Sequence, residues 1–472
     1  MKRVALLVVA IILTVSMPYA QTTLPHSFKV AHASGAVRWS QCAFGPDGIL
    51  HTIWEEDTDR GHPIFYVSYD GTTASTPFNV TNSLDRRAER PGIHVGSKGH
   101  IVVVWGEDSG NNIYMRIYDP KLKAWQAVEA VALGYGWDEP CPAVDAEGNI
   151  HVFFSDDSGG RAYCRSKIGG VWENVYRLTG GYGKQGGVAV APNGTVWAVW
   201  REKQGNGNYK SYYSKRTKST LWTPGQMVTS GGGSSSHPFL GVGPNGVCVL
   251  VFGDIDPLNE TGAEIRLWKI EVSQTREIIV PFGMQHYPRP AVDANNNIHV
   301  AIQLGGGDFG DGTKYLNNIG GKWNDPQTMP ATWPKLPGIS ADPFGNVAVC
   351  QSSIIFAAPE GSDIWVYTLL KIEPKVFYTP LNLASSISLK SIRRNPEITY
   401  SLTWAANPAN IDSLVQGYNL YVNEGSGYKV LATVSKTTFA STFKYTDLSK
   451  KRAFALSTIG IGGIETDLVY FQ

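Results

Sequence analysis

The chain has no surplus of charge of either sign: 41 lysines and arginines stand against 40 aspartates and glutamates over 472 residues. No basic block breaks this balance. Phosphate backbones demand concentrated positive charge, so nucleic acid is not expected as a partner. Cysteine is scarce. Cys42, Cys141, Cys164, Cys248 and Cys350 are widely spaced, and there is no C-x-x-C. They sit in strand-like runs and read as buried free thiols, with a single disulfide as the alternative in an exported chain. Beyond the N-terminus no apolar run is long enough to span a membrane. The chemical signatures H-E-x-x-H, G-x-S-x-G and the Walker loop are missing. Gly181-x-Gly183-x-x-Gly186 matches a dinucleotide fingerprint in letters, but no helical pattern follows it. No cofactor and no metal are therefore expected. Asp308-Phe-Gly-Asp311 offers only two carboxylates toward Ca²⁺.

The first residues carry a different message. Lys2 and Arg3 precede an apolar run, Ala5–Val15, and small residues lead to Ala20. This pattern predicts a signal peptide over 1–20, cleaved after Ala20, and a secreted, periplasmic or cell-surface location. No cysteine near that point suggests a lipid anchor.

What the chain has in abundance is a repeat. Two clear copies read PCPAVDAEGNIHVFFSDD (140–157) and PRPAVDANNNIHVAIQ (288–303). Anchored on the turn residue, seven copies fall at Gly48, Gly99, Gly148, Gly194, Gly246, Asn296 and Gly345, with intervals of 51, 49, 46, 52, 50 and 49. Strand-like repeats of about 50 residues predict a ring of β-sheets. In each copy a short strand leads into a tight turn whose Gly or Asn tolerates positive φ. A second strand follows that is apolar on both faces. In Ile101–Trp105, Val102 and Val104 point one way while Ile101, Val103 and Trp105 point the other. Burial on both faces is expected where sheets pack against sheets on either side.

The expected fold is thus all-β: a seven-bladed β-propeller over 25–378 and a C-terminal β-sandwich over 385–472. The segment Phe28–Ser34 matches the outermost strand of other copies, such as Phe78–Ser83, and is expected to pair with the last blade and close the ring. After Pro380, short strands recur at roughly 10-residue spacing. Leu402-Thr-Trp404, Gly417-Tyr-Asn-Leu-Tyr421, Thr446-Asp-Leu448 and Phe454-Ala-Leu-Ser457 make this segment resemble a fibronectin type III domain, which implies a spacer or adhesion module. The tyrosine such domains place two residues before Phe454 is Arg452 here. Over about 35–375 the repeat resembles the sialidase-like (BNR-type) repeat superfamily and secreted propellers acting on polysaccharides. The chain lacks the S-x-D-x-G-x-x-W boxes and the Phe/Tyr-Arg-Ile-Pro start of sialidases, so sialidase activity is not expected.

Two positions in the repeat point to a site. A proline lies eight residues before the anchor in five copies, and the residue before that place is Trp39, Arg90, Glu139, Gln185, His237, Tyr287 or Leu336. This chemical variety within a constant frame suggests a specialised surface, flanked by Arg38, Trp137, Asp138, His286 and Arg289. The second position, two residues past the second strand, is Glu56, Glu107, Asp156, Glu202 or Asp254. A repeated carboxylate reads as a cap for loop amides or an arginine partner. His51, His151 and His299 recur on different blades, cannot converge on one ion, and read as hydrogen-bonded core residues.

Both site positions should serve the face opposite the tight turns. Two functions compete there. One is non-catalytic recognition of a glycan or other extracellular polymer by Trp39, Arg90, Trp137, Glu139, His237, His286 and Tyr287, with the aromatic rings stacking on sugars. The other is a polysaccharide lyase or glycoside hydrolase. In the lyase, Arg90 or Arg289 would neutralise a uronate and His237 or Tyr287 would act as base. A hydrolase would pair Glu139 or Asp138 with Glu107 or Asp156. Binding to an envelope protein is a third reading.

Overall fold

The computed structural model describes residues 23–472, apart from 108, 157–158, 219, 229–233, 256–262, 274–276, 281–284, 305–311, 330–336, 354–360, 371, 373–378, 393–394, 409, 411–414, 448, 461–464 and 472. The segment 1–20, Leu336 and the Asp308–Asp311 loop lie outside the described residues. Among the described residues no helix is long and apolar enough to cross a membrane.

The described chain is all-β. Seven consecutive antiparallel sheets of four or five strands precede two further sheets near the C-terminus. The innermost strands of the seven are Val37–Phe44, Ala88–Val95, Asp138–Val144, Gly183–Val190, Ser234–Val242, Gln285–Val292 and Gly338–Ala341. Each packs against the innermost strand of the next sheet, and Gly338–Ala341 packs against Val37–Phe44. The tight turns form as the repeat predicts. All seven anchors have positive φ, including Asn296 at 64°, the only one of the seven that is not glycine.

Packing between sheets explains the two-sided apolar strands. Val102 and Val104 join Val144, Val152 and Phe154 of the third sheet, while Ile101, Val103 and Trp105 join Ile53, Ile64 and Val80 of the first. A comparable apolar cluster fills every junction between neighbouring sheets. The one between the last and the first contains Val30, Trp54, Val67, Cys350 and Val366. At about 1.5–3 kcal/mol for each large side chain fully removed from water, these junctions dominate the stability of the assembly.

The seventh sheet takes its outermost strand from the other end of the chain. His26–Ala33 pairs antiparallel with Ser362–Thr368, with Phe28 opposite Val366, and this is the pairing expected for Phe28–Ser34. Phe28 stacks on Tyr69 of the first sheet at 4.4 Å. All five cysteines are free thiols.

The C-terminal sheets have strand orders that place Asn395–Ala405 between Leu381–Ile392 and Ala440–Tyr445, and Val415–Asn423 between Tyr428–Ser435 and Ala453–Gly460. Tyr400, Leu402, Trp404, Tyr418, Leu420, Phe454 and Leu456 fill the space between them. Arg452 occupies the position where a tyrosine was expected. Its guanidinium lies over the Tyr445 ring at 3.9 Å, donates to the Asp447 carbonyl at 3.0 Å and pairs with Glu424 at 2.6 Å.

Candidate functional site

The innermost strands are not regular. In the first six sheets the ladder slips at one place: between Val37 and Ser40, Glu89 and Gly92, Asp138 and Cys141, Lys184 and Gly186, Ser236 and Phe239, and His286 and Pro288. From the second sheet to the sixth, one residue inside each bulge is left-handed: Arg90 (φ 54°), Glu139 (44°), Gln185 (51°), His237 (38°) and Tyr287 (52°). They are the same residues that the pre-proline position singles out. A non-glycine residue in this region costs about 1–2 kcal/mol, and such strain concentrates where structure serves function. In the fourth sheet Gly186 replaces the proline because a Cβ there would run into the Val199 carbonyl oxygen.

On the first strands of the sheets these residues form two groups. The Arg90 guanidinium lies over the Trp39 ring at 5.3 Å and the Trp137 ring at 4.8 Å, and it pairs with Asp138, which is fully buried. Its backbone N–H donates to Glu55 Oε2 at 3.0 Å, tying the second sheet to the first. In the fifth and sixth sheets His237 and Tyr287 are in ring contact, with centroids 3.7 Å apart. Between the groups, Arg289 packs over Phe239 at 4.4 Å and donates to Gln41 at 2.8 Å. Glu139 is 6% exposed. Burial raises its carboxyl pKa, against the pull of Arg90, Arg289, Arg201 and Lys184.

One expectation needs correction. Trp39 is only 5% exposed, and its ring is covered by Arg90, so it has no open face for a sugar. The space between the two groups is narrow. The cavity lined by Trp39, Arg90, Glu139, Phe239 and Arg289 holds about 40 Å³, room for about one water. Arg90, Trp137 and Tyr287 remain half-buried. The His286 side chain lies outside the described residues.

The repeated acids turn out to be structural. Trp54, Trp105 and Trp200 each donate their indole N–H to the glutamate two residues on, Glu56, Glu107 and Glu202, at 3.1 Å in all three. Glu56 also accepts from the Ser34 and Gly35 amides, Glu202 from Gly181, and Asp156 from Gly159, while Glu107 pairs with Arg86 and Asp254 with Arg266. The strand histidines are buried and bonded: His51 to Tyr66 at 2.7 Å, His151 to Ser166 at 2.9 Å and His299 to Tyr315 at 2.7 Å. Gly183 to Gly186 lie in a strand, which removes the dinucleotide reading.

One cluster has no counterpart in the repeat pattern. His62 lies in the loop after Leu50–Glu56, with Glu55, Asp57 and Glu89 around it. Burial pushes the Glu55 carboxyl up to about 7. Larger cavities lie elsewhere. One of about 470 Å³ lies beside the tight turns of the fourth to seventh sheets, lined by Val190, Val242, Val292 and Ala341. One of about 1350 Å³ lies between tight turns such as Lys98–His100 and the C-terminal residues Tyr421 and Glu465–Leu468.

No known family model matches the chain, and no curated protein matches its sequence. Solved structures do resemble it. A protein of unknown function from Dyadobacter fermentans is 10% identical with a TM-score of 0.47, covering 73% of this chain and 98% of that one. A polysaccharide lyase described as a PL25 ulvan lyase, bound to a glucuronate–sulfated rhamnose unit, is 11% identical with a TM-score of 0.48, covering 73% and 96%. A sialidase, Hz136, is 11% identical with a TM-score of 0.43, covering 68% and 74%.

Proposed function

We propose that this chain is an exported protein in which the seven sheets form a closed propeller followed by a fibronectin type III-like domain. In this reading it recognises an anionic glycan, or a similar extracellular polymer, on the face opposite the tight turns. The observation that carries this reading is the row of five left-handed residues. Five sheets accept the same strain at the same place, and each spends it on a different side chain. Arg, Glu, Gln, His and Tyr together suit a ligand with hydroxyls, a ring face and an acid group. Arg90, Arg289, Arg201 and Lys184 all act on Glu139, which favours a uronate or sulfate over a neutral sugar. The narrow channel argues for a polymer lying across the face rather than entering it. Arg90, Trp137 and Tyr287 would form its contact surface, with Trp39 and Asp138 holding Arg90 in place.

The contact between His237 and Tyr287 favours a second reading, a lyase. One of the pair would take the proton beside the uronate carboxylate while an arginine neutralises that carboxylate. One experiment separates the two. The chain is incubated with uronate polysaccharides while absorbance of the unsaturated product is followed, and its retention on a glycan array is measured in parallel. Retention on acidic glycans without product supports binding, and product formation lost in His237→Ala supports the lyase. Neither retention nor product on any acidic glycan refutes both.

A further inference from the structure

We infer that Cys42 and Cys350 join as a disulfide when the chain folds, a covalent clasp between the first sheet and the seventh. The two residues lie at opposite ends of the seven-sheet region, yet they share one apolar cluster. Cys42 lies in Val37–Phe44, and this strand packs against Val347–Ser353, which carries Cys350. The Cys42 thiol reaches into the seventh sheet. There it donates to the Ala348 carbonyl at 3.8 Å and is in hydrogen-bond contact with the Cys350 thiol. Gly338, opposite Cys350 on the neighbouring strand, leaves the space for this approach. A Cβ there would stand 2.7 Å from Cys350 Sγ and 2.8 Å from the Cys42 backbone nitrogen. The Cys350 sulfur and the strand that carries Cys42 therefore meet across a position with no room for a side chain.

The other three cysteines are not so placed. Cys141 and Cys164 both stand opposite Phe153, one on each side of its strand. Two strand spacings, about 9.5 Å, separate them, and a disulfide needs Cα atoms within about 7 Å. Cys248 packs with Trp197, Leu250 and Ile270 in a cluster that holds no second cysteine. Closing the bond takes two electrons and two protons from the pair. One thiolate attacks the disulfide of an oxidant, either oxidised glutathione or a disulfide-carrying oxidase, and the second thiolate displaces it. The oxidant's own S–S bond breaks to two thiols, which take up both electrons and both protons. Such oxidants belong to the compartments of the export proposed above, on which the bond depends in the cell. The step accompanies folding rather than following it. Burial holds the Cys42 thiol well above its usual range, which suppresses the reactive thiolate, and both sulfurs are shut away once the sheets have packed. The bond sits in the cluster that also holds Val30 and Val366, from the two strands whose pairing completes the seventh sheet.

The test refolds the reduced mature chain in a glutathione redox buffer and, in parallel, under reductant. Free thiols are then blocked in denaturant and the peptides mapped by mass spectrometry. The expected result is a linked peptide pair containing Cys42 and Cys350, two fewer blocked thiols than in the reduced control, and a higher unfolding temperature. Cys42→Ser and Cys350→Ser should each lose the linked pair and the gain in temperature, and Cys248→Ser should keep both. If the serine variants fail to fold, the peptide map of the unaltered chain decides. Cys42 and Cys350 both blocked after oxidative refolding, or either one linked to a different cysteine, overturns the pairing. Export is read separately, from whether the full chain is recovered outside the cytosol. A chain that stays in the cytosol but forms the bond on oxidative refolding refutes the export and upholds the pair.

Discussion

A pair of substitutions at one bulge residue tests the strain directly. Gln185 has φ 51° and is 8% exposed. Replacing it by Ala or by Gly removes the same side-chain contacts, so the difference between the two variants isolates the backbone. Alanine keeps the left-handed penalty of about 1–2 kcal/mol. Glycine avoids that penalty but gives up about 0.5–1 kcal/mol through the freedom of its unfolded chain. Gln185→Gly should therefore be more stable than Gln185→Ala by roughly 0.5–1 kcal/mol. Val188, three residues on in the same strand and paired with Ala198, is the control. There Val188→Ala should be more stable than Val188→Gly by about 0.5–1 kcal/mol. The assay is urea unfolding followed by tryptophan fluorescence, with midpoints compared among variants of equal slope. The order of stability should thus reverse between two positions three residues apart. If alanine is the more stable replacement at Gln185 too, the residue is not left-handed and the argument for a strained row fails.

Further expectations follow from single contacts. Trp105→Phe removes the indole donor to Glu107 and should cost about 2 kcal/mol, whereas Glu107→Gln, which keeps an acceptor, should cost under about 1 kcal/mol by the same unfolding measurement. Burial holds the His51 imidazole down at about 3. The unfolded chain then binds a proton that the native state refuses, so stability is complete above pH ~6.5 and falls as the pH drops toward 3. His51→Gln should remove about 2 kcal/mol of the stability lost between pH 7 and pH 5, and an unchanged loss would show that this imidazole does not contribute. Arg452→Ala should destabilise the C-terminal sheets by about 2–3 kcal/mol, through its bonds to Glu424 and the Asp447 carbonyl and its contact with Tyr445, and should leave the seven sheets unaffected in hydrogen exchange.

Much of the architecture was readable because the same physics recurs in every copy. Turn residues at Gly48 through Gly345 need positive φ, and runs such as Ile101–Trp105 need neighbours on both sides. Phe28–Ser34 looked like an outer strand with no sheet of its own. The strand Leu381–Ile392 was missed because LNLASSISLKSI is rich in serine and its described side chains are largely exposed. The place of the candidate site was legible as variety before a proline, but its geometry was not. A residue before proline is expected to be extended, and nothing in the letters shows a bulge turning it left-handed. The burial of Trp39 depends on where Arg90 of the next sheet points. The His62 cluster joins Glu55 to Glu89 through contacts between sheets, and no local spacing encodes that. The Trp–Glu pairs could have been found, since W-x-E appears at Trp54, Trp105 and Trp200, although the repeated acid alone drew attention to a cap.

The pairing of Phe28 with Val366 spans 338 positions of chain. While the polypeptide emerges from the ribosome or crosses a membrane, its leading segment must wait unpaired until the seventh repeat appears. During that interval both partners are sticky ribbons, so assembly is a race between circularisation and clumping. The join also lies on the outer rim. A handle attached ahead of Leu24, which is buried and bonded to Gln327, would therefore leave beside this edge strand, and it would burden assembly more than ligand access.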